Sequence, residues 1–294
     1  MMTTSSARLS KAARIATLLA ASAVFVYLVS AFLLAAFRSQ GDVVAGGIID
    51  GLSFQNLVYN WQQIVGFGSG VFLIWLQNSL IVALFAAAVA VFAAVSGGYA
   101  LARLRFAGRK SILFATLLTM VIPNTVLVIP IFLGVAAVGM VGKLLPVIII
   151  MAFFPFGVYL AFIHFSSAMP KELVEAARVD GCSELGIFAR IALPISKQPI
   201  ALVFFFAFVA DWTNYFLPLV LLPSTKSTTV PVGLQQMISQ SQLYDPTAAA
   251  GLNVELYIPQ LVLAALVQAI PVLIVFLSVQ RYLVRGVTVG AVKG

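Results

Sequence analysis

Charge is scarce in this chain of 294 residues: only 9% are Asp, Glu, Lys or Arg, against 62% hydrophobic residues. A soluble domain of this size needs a charged surface, so that scarcity, with a mean hydropathy of +1.09, excludes one and implies an integral membrane protein. One cysteine, Cys182, excludes an internal disulfide, and one histidine, His164, leaves no His/Cys metal cluster. A phosphate-binding loop is missing too: Gly108-Arg109-Lys110-Ser111 carries the Lys-Ser pair without the first glycine at the required spacing. Strands of about 10 residues with alternating polarity, which a membrane barrel requires, are not found. Nor are the repeats and intramembrane ionisable pairs of a secondary carrier, or the charged ring of a channel.

What the chain does have is six apolar runs, near 15–37, 72–101, 112–138, 144–165, 198–222 and 258–282. Each is long enough to cross a hydrocarbon layer of roughly 30 Å at about 20 residues per helix. The expected fold is therefore all-α, with six transmembrane helices. Pro123, Pro130, Pro146 and Pro155 predict kinks in the third and fourth runs. Arg8, Lys11 and Arg14 precede the first run, which is too long for a secretory signal and is expected to be a retained helix. Of the seventeen basic residues, only Arg38, Lys143 and Lys226 fall on one side of this six-span topology. The positive-inside bias then places both termini in the cytoplasm, and the net charge of +8 reflects topology and anionic lipid, with no nucleic acid implied.

Between the fourth and fifth runs the composition changes. Residues 170–197 hold Glu172, Glu175, Asp180 and Glu184 together with Lys171, Arg178, Arg190 and Lys197. Pro170 suits the start of a helix and Gly181 suits its left-handed end, so a helix is expected over about 171–180. On it Leu173, Ala176, Ala177 and Asp180 share a face, with Glu175 and Arg178 at its flanks. Ser183 can cap a second short helix, with Glu184 near its positive end, before Pro194 and Pro199 lead back into the membrane. Without further context, the stretch reads as an ordinary amphipathic connector with solvated charges.

The sequence Glu175-Ala176-Ala177, Gly181 six residues after Glu175, and the later Ile191-Ala192-Leu193-Pro194 resemble the coupling loop of binding-protein-dependent ABC importer permeases. The run 75–109 and residues 120–130 resemble the core helices of the carbohydrate-uptake, maltose-type permeases. Asp211-Trp212-Thr213-Asn214-Tyr215-Phe216-Leu217-Pro218 is similar to a Trp-Asn-x-Phe-x-x-Pro element on their fifth helix, with Thr213 inserted. Gln280-Arg281-Tyr282 and Gly290-Ala291-Val292-Lys293-Gly294 are similar to the tail of the smaller permease subunit.

The resemblance implies a type I ABC importer permease fold with a cytoplasmic coupling helix, in a prokaryotic cell membrane. It implies three regions: residues 1–71 as an N-terminal helix and external loop, 72–285 as a five-helix core including the coupling loop 166–197, and 286–294 as a cytoplasmic tail. The chain would form the pathway for a sugar delivered by an extracytoplasmic solute-binding protein, beside a second homologous permease and an ABC ATPase dimer. It would itself be no enzyme and carry no cofactor, since ATP and Mg would be bound by the ATPase. The ATPase-docking residues would be Glu175, Ala176, Ala177, Arg178, Asp180, Gly181, Leu193 and Pro194, and the tail 290–294 would contact the same partner. A permease for an amino acid, peptide or polyol phosphate is the alternative within the class, with a secondary carrier further off.

Asp211 is the carboxylate expected inside the membrane. An ionised Asp there costs about 2.5–3.5 kcal/mol on insertion scales, so it should face the bundle or a wet cavity. Asp211, Trp212, Asn214, Asn78 and Asn124 are the candidate pathway residues, and an equally simple role for each is holding helices together by hydrogen bonds.

Overall fold

The second apolar run forms a continuous helix, Val71–Arg103. The structure, a computed structural model, describes residues 3–167, 169–249, 251 and 253–290. Among the described residues every regular element is helical. Four helices are long and apolar enough to span a membrane: Arg14–Ala35, Val71–Arg103, Leu144–Ser167 and Ile258–Tyr282. Two bent pairs bring the number to six, which is the number of apolar runs.

The kink expected in the third run is present at Pro123, and the fifth run is broken as well. The third run is two helices, Arg109–Val121 and one reaching Ala137, set at 95°. Its break follows from Pro123, which keeps Ile122 extended (φ −74°, ψ 121°) and withholds an amide from the turn before it. Pro130, Pro146 and Pro155 instead fall in the first turns of the helices Val128–Ala137, Leu144–Met151 and Pro155–Ser167, where a missing N–H is tolerated. The fifth run begins as the helix Lys197–Trp212, breaks at residues 213–215 and resumes over Phe216–Leu221. The helical segment before Lys197 meets it at 79°.

Contacts divide the chain into two units. One comprises Met1–Val71 and Leu234–Val267. Its first helix presents Leu18, Leu19, Val24, Phe25 and Phe32 outward, as a lipid-facing surface requires. Within this unit Gln260 donates to Asn60 Oδ1 at 2.7 Å, and the Asn60 amide donates in turn to the carbonyls of Ala36 and Arg38. Arg38 is itself buried and donates to the carbonyls of Asp50 and Asp42.

The other unit comprises Phe72–Gly233 and Gln268–Gly294. Here small residues on the second span allow close approach. Ala83, Ala87 and Ala90 are buried against Ala207, Phe208 and Trp212 of the fifth span. Val82 and Ala86 pack with Val135, Val147, Met151 and Leu217. Further along, Val95 and Tyr99 meet the fourth span and the polar loop. At Gly98 the helices nearly touch: a β-carbon there would lie 2.5 Å from Ala161 Cβ and 2.7 Å from the Phe162 amide nitrogen. Helix association in membranes relies on such contacts, because lipid supplies no hydrophobic drive between apolar faces.

Candidate functional sites

The polar loop folds as local backbone rules require. Pro170 (φ −61°, ψ 136°) precedes the helix Lys171–Val179. Gly181 ends it at φ +80°, with its amide donating to Arg178 O at 3.1 Å and the Cys182 amide donating to Ala177 O at 2.9 Å. That pair of bonds is a Schellman motif, which satisfies carbonyls the helix end would otherwise leave bare. Ser183 Oγ accepts from the Gly186 amide at 3.2 Å and starts the next helix, Glu184–Ile187. A wider turn over Phe188–Ala192 and a short helix Leu193–Ile195 follow.

An ion pair bridges the bend: Arg178 Nε donates to Glu184 Oε1 at 2.6 Å. The Glu184 hydrogen bond raises the pKa of Arg178 further above its ordinary value. Both side chains are exposed, so the pair fixes the angle between the two helices more than it stabilises the fold.

The first loop helix works on two faces. Val174 and Ala177 are buried with Tyr99, Phe165, Met169 and Ile187 in one cluster. Leu173, Glu175, Ala176, Arg178 and Asp180 are exposed, as are Gly181 and Pro194. Two of the residues expected to dock the ATPase are not fully exposed. Ala177 is only 7% exposed and packs inside the chain, and Leu193 is half-buried against the same cluster. The reason is geometric: a helix laid on a membrane core must give that core one stripe, and here the stripe is Val174–Ala177. Tyr99 and Phe188 at the centre of this contact, and Arg103, which donates to Met169 O, escaped the sequence reading. Gly97-Gly98 beside Tyr99 was the available signal, marking a close helix approach.

Three of the five candidate pathway residues come together. Asp211, Asn214 and Asn124 line a cavity of about 200 Å³ with Phe153, Phe154 and Phe216. Asp211 Oδ2 is buried and has no hydrogen-bond partner among the described residues. Asn214 Oδ1 accepts from the Leu217 amide at 3.3 Å, which helps restart the helix after the break. The other two residues are elsewhere. Trp212 is 1% exposed, stacks on Phe208 at 5.8 Å and donates its indole N–H to Gln268 O at 2.9 Å. Asn78 donates to the carbonyls of Lys226 (3.0 Å) and Thr228 (2.9 Å), beside Trp75 Nε1, which donates to Thr225 O, and Ser79 Oγ, which accepts from the Val230 amide. Trp75, Asn78 and Ser79 thus clamp residues 225–230 from one face of the second span.

Of the expected tail contacts, Gly290 ends the last helix, Ile258–Gly290, while Ala291, Val292, Lys293 and Gly294 lie outside the described residues.

A polytopic helical core carries a capped, charged loop packed against two of its spans. Residues 86–289 match the model of the binding-protein-dependent transport system inner membrane component, and the chain belongs to that family of ABC importer permeases. It is 30% identical to the arabinooligosaccharides transport system permease protein AraQ of Bacillus subtilis, over 93% of this chain and 92% of that one. It is 34% identical to the diacetylchitobiose uptake system permease protein DasC of Streptomyces coelicolor, over 75% of each chain. Its fold matches a chain in the crystal structure of a bacterial ABC transporter involved in the import of the acidic polysaccharide alginate, with a TM-score of 0.78 at 22% identity, covering 94% of this chain and 97% of that one.

Proposed function

We propose that this permease forms part of the membrane pathway for a sugar or oligosaccharide, and that its polar loop transmits the closure of a separate ATPase to the membrane helices. The observation that carries the coupling role is the two-faced loop helix: Val174 and Ala177 are packed into the membrane core while Leu173, Ala176 and Asp180 stay free. A lever needs such attachment, because a solvated connector would absorb the motion instead of passing it on. The carbohydrate assignment is supported by relatives whose names specify arabinooligosaccharides, diacetylchitobiose, maltodextrin and melibiose/raffinose/stachyose.

In this reading the partners are a second homologous permease, an ABC ATPase dimer and an extracytoplasmic solute-binding protein. The chain does no chemistry, and ATP with its Mg is held by the ATPase. Both termini and the loop face the cytoplasm, as the uneven distribution of basic residues supports. Regions 1–71, 72–285 and 286–294 act as N-terminal helix with external loop, core and tail, with residues 290–294 reaching the ATPase. Asp211, Asn214 and Asn124 meet solute hydroxyls in the pathway, with Phe216 offering an apolar ring face.

Cys182 provides the test, being exposed one residue after Gly181 and the chain's single cysteine. In sealed inside-out vesicles a membrane-impermeant maleimide should label it, and bound ATPase should protect it. In right-side-out vesicles it should stay unlabelled. Labelling from the outside would put the loop beyond the reach of an ATPase and end the coupling assignment. Uptake of a radiolabelled oligosaccharide by the reconstituted importer, measured against amino acids and peptides, tests the solute class.

A further inference from the structure

A second cavity, of about 440 Å³, lies where two spans end. Arg103 closes the second span and Ser166 lies in the last turn of the span Leu144–Ser167, and both line it. Arg105, Arg109 and Arg178 complete its basic wall, and Glu175 is its one carboxylate. Arg178 is committed to Glu184, and among the described residues Arg103, Arg105 and Arg109 have no ion-pair partner. Two of these guanidinium groups are nonetheless held in place by backbone: Arg103 donates to Met169 O, and Arg109 donates to Ala102 O at 3.2 Å. The Nε of Arg103 is buried without a hydrogen-bond partner among the described residues.

Positioned arginines gathered with a surplus of positive charge fit a phosphate group, which accepts several charge-assisted bonds and matches the planar guanidinium fork. The position of the cavity narrows the source. Span ends lie at the headgroup layer, and Phe106, next to Arg105, is 41% exposed there, an apolar ring open to lipid. We propose that this cavity holds the phosphate of an anionic lipid headgroup, so that a lipid ties the second span and the following connection to the loop helix bearing Glu175. The site rests on the loop lying at the membrane surface, and it does not depend on which solute is carried.

The test uses the intact importer complex, delipidated and then offered phosphatidylglycerol or phosphatidylcholine, with retained lipid counted by native mass spectrometry. The wild-type complex should retain phosphatidylglycerol and release phosphatidylcholine. The double variant Arg105→Gln/Arg109→Gln should weaken retention by about fivefold for each arginine removed. Arg105→Lys/Arg109→Lys, which keeps the charges, should recover part of it, and a melting curve in each case shows that the variants fold. Lys110→Gln removes an exposed charge just outside the cavity and should retain lipid as the wild type does. Equal loss from Lys110→Gln would reduce the effect to a general basic surface, and unchanged retention in the double Gln variant would remove the site; either overturns the proposal. Displacement of the lipid by excess inorganic phosphate would overturn the lipid assignment in favour of a free anion. Loss of the ATPase from the double Gln variant with lipid retained would assign the arginines to subunit docking instead.

Discussion

The Tyr99 ring of the second span lies 5.0 Å from the Phe188 ring of the coupling loop, tilted by 45°, and Phe165 of the fourth span meets the same ring edge-on at 5.4 Å. Three elements far apart in sequence therefore share one aromatic contact. The Tyr99 hydroxyl is buried with no hydrogen-bond partner among the described residues, so it adds nothing to the arrangement. Tyr99→Phe should keep both uptake and melting temperature. Tyr99→Ala should leave a cavity at the junction, cost about 3–5 kcal/mol and abolish uptake. Wild-type uptake by Tyr99→Ala would show that force reaches the membrane helices by another route.

The clamp made by Asn78 leads to a different expectation. Its amide satisfies two carbonyls 148 and 150 residues away, and no apolar side chain can replace that. Asn78→Leu should destabilise the protein by about 1–3 kcal/mol, through stranded carbonyl groups. The solute concentration for half-maximal uptake should not change, because the side chain is occupied by the Lys226 and Thr228 carbonyls. Thermal unfolding and uptake curves on the same preparation separate the two effects.

Asn78 also marks where sequence reading stopped. Pro170, Gly181 and Ser183 were legible because each imposes a rule on its own backbone within a few residues, and the loop helices begin and end accordingly. The number of apolar runs was legible because hydrophobic length is a local sum. Pro123 marked the break in the third run, but the 95° and 79° angles were not legible, since a composition window carries no direction. Ala177 was placed on the wrong face because the packing of Tyr99 and Phe165, not the spacing within the helix, decides which stripe turns inward. Asn78 and Trp212 looked like pathway residues because a buried polar group announces itself in an apolar run, whereas its partner, here Thr228 O or Gln268 O, lies far along the chain.

Asp211 and Trp212 are neighbours with opposite surroundings, and substitutions should separate them. Asp211 lines the cavity with Asn214 and Asn124, whereas Trp212 is packed on Phe208. Asp211→Asn should insert and melt like the wild type yet raise the solute concentration needed for half-maximal uptake several-fold. Trp212→Phe removes the donor to Gln268 O and should cost about 1–3 kcal/mol while leaving that concentration unchanged. The reverse pattern would move the pathway off this cavity.

Two glycines test how local the coupling function is. At Gly98 the obstacle is other atoms: an added β-carbon meets Ala161 Cβ at 2.5 Å and the Phe162 nitrogen at 2.7 Å, and a backbone cannot step aside as a flexible side chain does. Gly98→Ala should therefore push the second and fourth spans apart, costing about 1–3 kcal/mol, and lower the melting temperature along with uptake. At Gly181 there is open space, with nothing within 4 Å of an added β-carbon, but φ is +80°. The penalty there is the conformation itself, about 1–2 kcal/mol for a residue with a β-carbon. It falls on a loop end, so Gly181→Ala should lower the melting temperature less than Gly98→Ala does while reducing uptake and ATPase retention. Asn tolerates the left-handed region better than Ala, so Gly181→Asn should restore most of the lost uptake. If Gly181→Ala and Gly181→Asn are equally impaired, the β-carbon must be colliding with a partner subunit, and the left-handed helix end would not be the feature that sets the loop's aim.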